Sequence, residues 1–241
     1  MQNKLYMNLH PGTNPPPFSS IIKDIVDENL LLEETFCYPR GGGQPGDQGL
    51  ISNSTTQTRL LETLPGDSIL HPLESVKGFE VGDKVECIID QDRRNKNTTM
   101  HTVQHIVSAM ANDLFGGETV GNQISEDYTR IDFLFEDRDK FNSNDLEQAV
   151  NDVINSHKEV RIHNWDRATI LSHEQMRHTK FMNRIPSSIQ NLRVVEIRDI
   201  DLCPCAGTHV DNTSKLNEMT IMKVKSKGAG KLRLTYNLKN D

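Results

Sequence analysis

Hydrophobic and polar positions follow two different periodicities, which change near residue 92. Before that point, apolar residues come in short runs such as Ile21–Val26 and Val85–Ile89, a pattern typical of strands. Turn-forming residues separate the runs, and Asp27–Asn29 predicts a hairpin between the run at 21–26 and the one at 30–32. Many short strands with frequent turns favour a small β-barrel for this part of the chain.

After residue 92 the spacing of apolar residues becomes helical. They recur at intervals of three and four between Asn97 and Leu114, which predicts one helix that ends at the following glycine pair. A second helix is predicted from Ser143 or Asn144. A third is predicted from Ser172, where Gln175 would complete a capping box. Alternating strand patterns lie between these helices, at 129–135 and 192–197.

The end of the chain predicts a hairpin with one apolar and one basic face. Gly228–Gly230 supplies its turn. The predicted inward face carries Met222, Val224, Leu232 and Leu234, and the outward face carries Lys223, Lys225, Lys231 and Arg233. We therefore predict two domains: a glycine-rich β-barrel domain over residues 1–91, and an α+β domain over residues 92–241 with helices against an antiparallel sheet.

The composition is that of a folded, water-soluble protein, with 35% hydrophobic and 25% charged residues among 241. No apolar run approaches the roughly 18 residues that a membrane span needs, and the N-terminus lacks a secretory signal. We therefore expect a cytoplasmic protein without membrane contact. Its four cysteines are expected to be reduced thiols rather than a disulfide framework; they are Cys37, Cys87, Cys203 and Cys205.

The net charge of −7 argues against nucleic acid as a partner, but the positive charges are clustered. Residues 219–240 contain six lysines and arginines and no acidic residue. A smaller basic group lies at Arg93, Arg94 and Lys96. These clusters are either phosphate-binding surfaces or solvated faces of strands and helices.

Two pairs of residues have the spacing of metal ligands. His101 and His105 are four residues apart on the predicted helix, so both side chains lie on one face and could share a zinc ion. Cys205 and His209 repeat this spacing in a predicted loop. Together they would form a Cys-His₃ zinc set, but each pair alone can arise by chance, as surface or core residues. Cys203 could compete with Cys205 but has no matched histidine.

A glycine-rich segment, Gly41–Gly49, is the remaining motif. It lacks the lysine and hydroxyl residue that end a phosphate-binding P-loop, and it does not follow the Rossmann order. It is either a wide turn between barrel strands or a place where bare backbone approaches a substrate.

Taken together, several blocks of sequence resemble the editing domain of alanyl-tRNA synthetases and the freestanding AlaX editing proteins. In chain order the blocks are Thr35–Gly49, Val81–Arg94, Met100–His105, Arg130–Phe133, and Arg193–Val195 with Pro204–Val210, followed by the basic hairpin. The glycine-rich block is similar to that of the medium-length AlaX form. Ala206 departs from the family pattern, which usually has glycine there. No synthetase catalytic domain fits within this length.

The resemblance implies a zinc-dependent hydrolase that deacylates alanine tRNA mischarged with serine or glycine. The ion would be held by His101, His105, Cys205 and His209, and a zinc-bound water would be the catalytic group. Thr35 would read the serine hydroxyl. Further substrate contacts would come from Gly42, Gly43, Gln44 and Thr208. The tRNA phosphates would contact Arg93, Arg94, Lys223, Lys225, Lys231 and Arg233.

Alternatives stay open at this point. Four protein ligands would fill a tetrahedral zinc site, which is the structural pattern, whereas catalytic sites keep an open position; we favour an open or exchangeable position. A zinc-stabilised RNA-binding module without catalysis, or a zinc hydrolase of a small ester or amide, would fit the same residues. The pattern leaves the oligomeric state and the choice among serine, glycine and alanine undecided.

Overall fold

The computed structural model describes residues 2–8, 14–176, 182, 185–228 and 230–239. Contacts along the chain group it into two compact units. Among the described residues, the first unit comprises 2–8 and 14–97, and the second comprises those from 98 to 239. The described residues are mostly sheet, with few helices.

The first unit is built around a curled half-barrel sheet. Its strands are β1 (Asn3–Lys4), β2 (Phe18–Val26), β3 (Asn29–Leu32), β4 (Glu34–Thr35), β5 (Gly49–Ser52), β6 (Gln57–Leu60), β7 (Leu70–Pro72) and β8 (Lys84–Ile89), with a short 3₁₀ helix at Leu5–Met7. Six strands form one sheet in the order β6-β5-β8-β2-β3-β7. A bridge between Leu60 and Leu73 links the two ends of this order, so the sheet curls round its apolar core.

The predicted hairpin at the start of this unit is present as β2 and β3. Asp27 and Glu28 both have positive φ, +47° and +62°, the backbone of a primed two-residue turn that matches strand twist. The Asn29 side chain donates to the Val26 carbonyl and closes the turn at 3.0 Å. Alternate side chains of β3, Leu30 and Leu32, are then buried in the core.

The second unit contains two antiparallel sheets. Its strands are β9 (Glu118–Ile124), β10 (Thr129–Leu134), β11 (Val160–Asp166), β12 (Asn191–Ile197), β13 (Asp201–Pro204), β14 (Met219–Ser226) and β15 (Lys231–Leu238). One sheet has the order β14-β15-β10-β9 and the other β11-β12-β13. The helices of the described chain are α1 (Gln91–Phe115), α2 (Ser143–Asn155) and α3 (Arg167–Ser172), with 3₁₀ turns at Arg138–Lys140 and Thr213–Lys215.

Helix α1 covers the predicted residues and begins six residues earlier. The carboxylate of Asp90 accepts from the backbone N–H of Arg93 at 3.0 Å, which caps the first turn. The helix ends at Phe115 because Gly116 turns the chain with a φ of +66°. Its apolar side joins the core of the second unit, where Val103, Ile106 and Val107 are fully buried.

Of the other two predicted helices, the start of one is confirmed and the start of the other is wrong. Helix α2 begins at Ser143 as predicted, and the Asn142 side chain caps it by accepting from Asn144 and Asp145 N–H groups. The helix predicted from Ser172 is wrong at its start, since α3 ends at that residue and His173–Met176 are not helical. Residues 177–181, where that predicted helix would continue, lie outside the described residues.

The C-terminal hairpin is present, but only the residues of its second strand are buried as predicted. Leu232 and Leu234 are buried, whereas Met222 is 58% and Val224 38% exposed. The register shifts between Ile221 and Lys223, so Met222 sits in a β-bulge. Val224 does lie opposite Leu234, but β14 is the edge strand of its sheet. The outer side of β14 is covered at its start, where the Met219 and Ile221 N–H groups donate to side chains of α2.

Candidate metal centre and surrounding sites

Four side chains from two segments of the second unit converge. One ligand atom from each of His101, His105, Cys205 and His209 lies within 4.8 Å of all the others. Helix α1 supplies the first two, one turn apart, and the loop after β13 supplies the other two. The Cys205 Sγ atom lies 3.7 Å from His101 Nε2 and 3.4 Å from His209 Nε2.

These distances fit a zinc ion. With bond lengths of about 2.0–2.1 Å to nitrogen and about 2.3 Å to sulfur, neighbouring nitrogen and sulfur ligands of a tetrahedral zinc lie about 3.6 Å apart. The two measured separations fall on either side of that value. Imidazole and thiolate are also the ligand types that zinc prefers in proteins. The four residues therefore have the geometry and the chemistry to hold zinc.

The orientation of His105 is set by a carboxylate that the sequence did not point to. Asp201 is fully buried, and its Oδ2 lies 2.9 Å from His105 Nδ1. A carboxylate accepts, so Nδ1 donates and Nε2 is the atom directed at the other three residues. Asp201 and Cys203 of β13 pair with Ile197 and Val195 of β12 and therefore point to the same side of the sheet as these partners. That side packs against the core to which α1 also contributes.

The orientation of His209 is set by a neutral group. The Thr102 hydroxyl donates to the Thr98 carbonyl at 2.9 Å, so its oxygen can only accept from His209 Nδ1, which lies 3.3 Å away. The backbone N–H of Val210 donates to the same oxygen at 3.1 Å. His209 Nδ1 therefore carries a proton, and its Nε2 presents a lone pair to Cys205.

The electrostatics of the cluster favour a Cys205 thiolate beside neutral imidazoles at His101 and His209, whereas His105 keeps its second proton. Burial lowers the pKa of His101, and it lowers the pKa of His209 to about 3. Burial alone would raise the pKa of the Cys205 thiol, but the imidazoles of His101 and His209 hold it well below its usual range. Burial would likewise lower the pKa of His105, but the hydrogen bond to Asp201 raises it to about 10. A metal would replace the proton that His105 holds.

Backbone and side-chain contacts fix the loop that carries Cys205 and His209. Arg193 is buried and donates to the Cys205 carbonyl at 2.6 Å, while Cys205 N–H donates to the Arg193 carbonyl at 3.1 Å. The Gly207 N–H donates to Cys205 Sγ at 3.3 Å. Thr208, predicted as a substrate contact, lies with its hydroxyl 2.7 Å from that of Thr98 and so joins this loop to α1.

Cys203 does not belong to the donor cluster. Burial raises the pKa of its thiol well above the usual value, so the group stays protonated at neutral pH. Its Sγ lies 3.5 Å from the Pro204 carbonyl. This agrees with the choice of Cys205, rather than Cys203, from the sequence spacing.

A buried polar row continues along α1 on the side of the two histidines. Gln104 donates to the Ser108 hydroxyl at 2.8 Å, and Thr119 of β9 donates to the same hydroxyl at 2.8 Å. Asn122, also on β9, donates to the Gln104 carbonyl oxygen at 3.2 Å. The sequence pattern assigned no role to any of these four residues.

In the first unit, Thr35 lies on β4 and is fully buried. Its Oγ1 accepts from the Cys37 N–H at 3.0 Å and lies 2.9 Å from His71 Nε2. His71 is also fully buried, with Nδ1 3.1 Å from the Leu30 carbonyl oxygen. Burial lowers the pKa of the His71 imidazole to about 4. No sequence motif pointed to His71.

The glycine-rich segment is a tightly bonded loop. Gly41 and Gln44 exchange backbone hydrogen bonds, and Gly42 and Gly43 have φ of +57° and +88°, which favour glycine. Gln44 is buried. The loop is held by Asp47, whose Oδ2 accepts from the Tyr38 N–H at 2.6 Å.

The predicted phosphate-binding residues divide into two groups. Arg94 is buried, where it ion-pairs with Asp47 and donates to the Phe36 carbonyl, so it stabilises the glycine-rich loop. Arg93 is half-buried and its Nε lies 3.4 Å from the Gly46 carbonyl. Arg233 makes a two-point ion pair with Asp132 at 2.6 and 2.7 Å. The three predicted lysines of the C-terminal hairpin are exposed: Lys223, Lys225 and Lys231.

Among the described residues, no helix is both long enough and apolar enough to cross a membrane.

Comparisons with known proteins match both ends of the chain. Residues 192–235 match the family described as "Threonyl and Alanyl tRNA synthetase second additional domain", and residues 15–93 match "tRNA synthetases class II (A)".

Several curated proteins are similar over most of the chain. The "Alanyl-tRNA editing protein AlaX-M" of Methanosarcina barkeri is 30% identical over 92% of this chain and 93% of that protein. The protein of the same name from Saccharolobus solfataricus is 32% identical, over 92% and 94%. The "Alanine--tRNA ligase" of Nitrosopumilus maritimus is 30% identical over 92% of this chain, which spans 25% of the ligase.

Proposed function

The chain belongs to the AlaX-M family of alanyl-tRNA editing proteins, and from that membership we propose that it is a zinc-dependent hydrolase that removes serine or glycine from mischarged alanine tRNA. The observation that carries this proposal is the convergence of four metal-binding side chains in the second unit. The bond that breaks would be the ester between the amino acid and the terminal ribose.

His101, His105, Cys205 and His209 would hold the zinc ion, as their separations and protonation favour. When bound, zinc would supply Lewis-acid polarisation of the ester carbonyl and would make water a stronger nucleophile at neutral pH. Asp201 and Thr102 would keep His105 and His209 aimed at the ion. Cys205 is the half-buried member of an otherwise buried set, which supports an exchangeable position on its side of the site.

Substrate selection would rest on Thr35, whose hydroxyl would read the hydroxyl of serine. A buried polar group that is matched by a serine but not by an alanine discriminates between the two, because the unmatched group loses a hydrogen bond that water does not replace. Gly42, Gly43, Gln44 and Thr208 would contribute further contacts to the aminoacyl end.

The tRNA backbone would be contacted mainly by the exposed lysines of the C-terminal hairpin. Lys223, Lys225 and Lys231 lie on a segment without acidic residues, and phosphate contacts of this kind position an RNA without reading its sequence. Arg233 would add to this surface if its present contacts rearranged, and Arg93 would be a separate phosphate contact in the first unit. Arg94 is left out because its guanidinium is buried against Asp47.

The test is incubation of the purified protein with alanine tRNA charged with serine, glycine or alanine. Release of serine or glycine at a rate well above that of alanine is expected, and it should stop after zinc is removed by a chelator and return on adding zinc. Binding of the charged tRNAs without release would instead indicate an RNA-binding module. Hydrolysis confined to small esters or amides would indicate the other alternative.

A further inference from the structure

The buried pair of Thr35 and His71 has a fixed hydrogen-bond direction. The backbone carbonyls of Leu30 and Ile69 can only accept from the ring, and the Leu30 oxygen lies 3.1 Å from His71 Nδ1, so Nδ1 carries the ring proton. Burial lowers the pKa of His71 to about 4, so the ring holds no second proton at neutral pH. His71 Nε2 is therefore an acceptor, and the Thr35 hydroxyl donates to it at 2.9 Å.

This direction restricts what Thr35 can offer to a ligand. Its only hydrogen points at His71, and one lone pair is used by the Cys37 N–H at 3.0 Å. A hydroxyl oxygen has two lone pairs, so a single accepting position remains, and in the described structure only the weak S–H donor of Cys37 competes for it. Without His71, the hydroxyl could rotate and donate as well as accept.

We propose that His71 is a positioning residue for substrate selection, which holds the Thr35 hydroxyl as a fixed acceptor for the hydroxyl hydrogen of a seryl group. This inference rests on the proposed function, since it assumes that Thr35 meets the amino acid. An alanyl group has no hydrogen-bond donor on its side chain, so it leaves the accepting position unused. Full burial of both residues makes the mismatch costly, because water does not compensate for it.

The test is the ratio of kcat/KM for seryl to alanyl ester hydrolysis on alanine tRNA. His71→Phe keeps an aromatic ring but removes the acceptor, and the ratio should fall about 10- to 100-fold. His71→Gln places an amide oxygen near the position of Nε2 and should restore most of the ratio. A purely structural His71 would lower both rates together and leave the ratio unchanged.

Two threonine variants provide the matched comparison. Thr35→Val removes the hydroxyl and should lower the ratio at least as far as His71→Phe does. Thr63→Val removes an equally buried hydroxyl of the same unit, one that donates to the Tyr38 carbonyl at 2.6 Å, and should leave the ratio unchanged. Zinc content is measured for every variant, because it reports on the second unit and should not change.

The possible failures can be told apart. If the wild-type protein releases no serine, the proposed function fails and this inference fails with it. If wild type is selective and Thr35→Val is not, but His71→Phe keeps the wild-type ratio, only the role of His71 is overturned. If His71→Phe does not fold, ¹⁵N NMR of the wild-type imidazole decides: a proton on Nδ1 alone supports the proposal, and a proton on Nε2 overturns it.

Discussion

The two units orient buried histidines in the same way but place different partners in front of them. In the first unit, His71 Nδ1 is held by the Leu30 carbonyl, and its Nε2 meets the hydroxyl of Thr35. In the second unit, His105 Nδ1 is held by Asp201 and His209 Nδ1 by Thr102, and both Nε2 atoms face a thiolate and other imidazoles.

This difference separates a hydrogen-bonded pair from a cation site. A lone pair that meets an O–H group is satisfied by the protein itself. Where a thiolate is surrounded by imidazoles, some neighbouring sulfur and nitrogen lone pairs have no hydrogen between them. A metal ion can accept all of these lone pairs at once. Buried histidines that are held in the same way at Nδ1 can therefore either accept a hydrogen bond or bind a metal ion. The atom that faces Nε2 distinguishes the two roles.

The largest effect should follow from removing a member of the convergent set. His101→Ala should lower zinc affinity and serine release about 1,000-fold, since each ligand accounts for a large share of the roughly 10–16 kcal/mol of a structural zinc site. Zinc per chain and deacylation rate are the measurements. His163→Ala, a histidine of the same unit paired with Glu196, is the control and should retain zinc. Equal zinc content in both variants would contradict the assignment.

The next effect should appear in the first unit as a dependence of stability on pH. The folded pKa of His71 is about 4 against an ordinary value of 6.5, so the unfolded chain binds the proton first as pH falls. This contribution is complete above pH 6.5 and is lost progressively down to about pH 4, amounting to about 3 kcal/mol. His71→Gln should lack it, as checked by urea unfolding followed by circular dichroism. Parallel pH curves for the two proteins would rule out the buried neutral ring.

A smaller effect should come from the carboxylate behind His105. Asp201→Asn keeps the size of the side chain but removes its charge, and zinc affinity should fall about 10- to 100-fold. Asp199→Asn is the matched control, because Asp199 is exposed and pairs with Lys158 at 3.0 Å. Competition with a zinc chelator measures both. If the two variants bind zinc equally well, the proposed role of Asp201 is wrong.

The smallest effect should come from single surface charges, far from any buried contact. Lys225→Gln should weaken tRNA binding a few-fold and reduce the slope of log affinity against log salt by about one. Lys23→Gln, in an exposed ion pair with Glu33 in the first unit, is the control. Binding measured at several salt concentrations distinguishes them. An unchanged slope for Lys225→Gln would remove this residue from the RNA contact.

Local patterns in the sequence pointed to the four residues of the candidate metal cluster, which the family resemblance then supported, and they predicted much of the fold. The spacing of His101 and His105 is a helical property, and the helix that carries them formed as predicted. The pair Cys205 and His209 was found by the same spacing. The sequence likewise predicted the start of α2 and the β2–β3 hairpin.

The supporting residues escaped prediction because their partners are distant along the chain. Asp201 contacts a histidine 96 residues away, and His71 contacts a threonine 36 residues away. No periodicity links such pairs, and an aspartate or histidine in a strand has no distinctive neighbours. The bulge at Met222 escaped for a different reason, since one extra residue in an edge strand leaves the alternation of the sequence intact.

The exposed edge of β14 has a consequence for self-association. An unpaired strand edge with apolar side chains can template the addition of a strand from another copy, and Met222 and Val224 are such side chains. The bulge and the neighbouring Lys223 and Lys225 oppose this stacking through irregular geometry and charge repulsion. Variants that replace these lysines with glutamine should stay monodisperse longer than those that use leucine or valine, because leucine or valine would make both faces of this edge strand apolar.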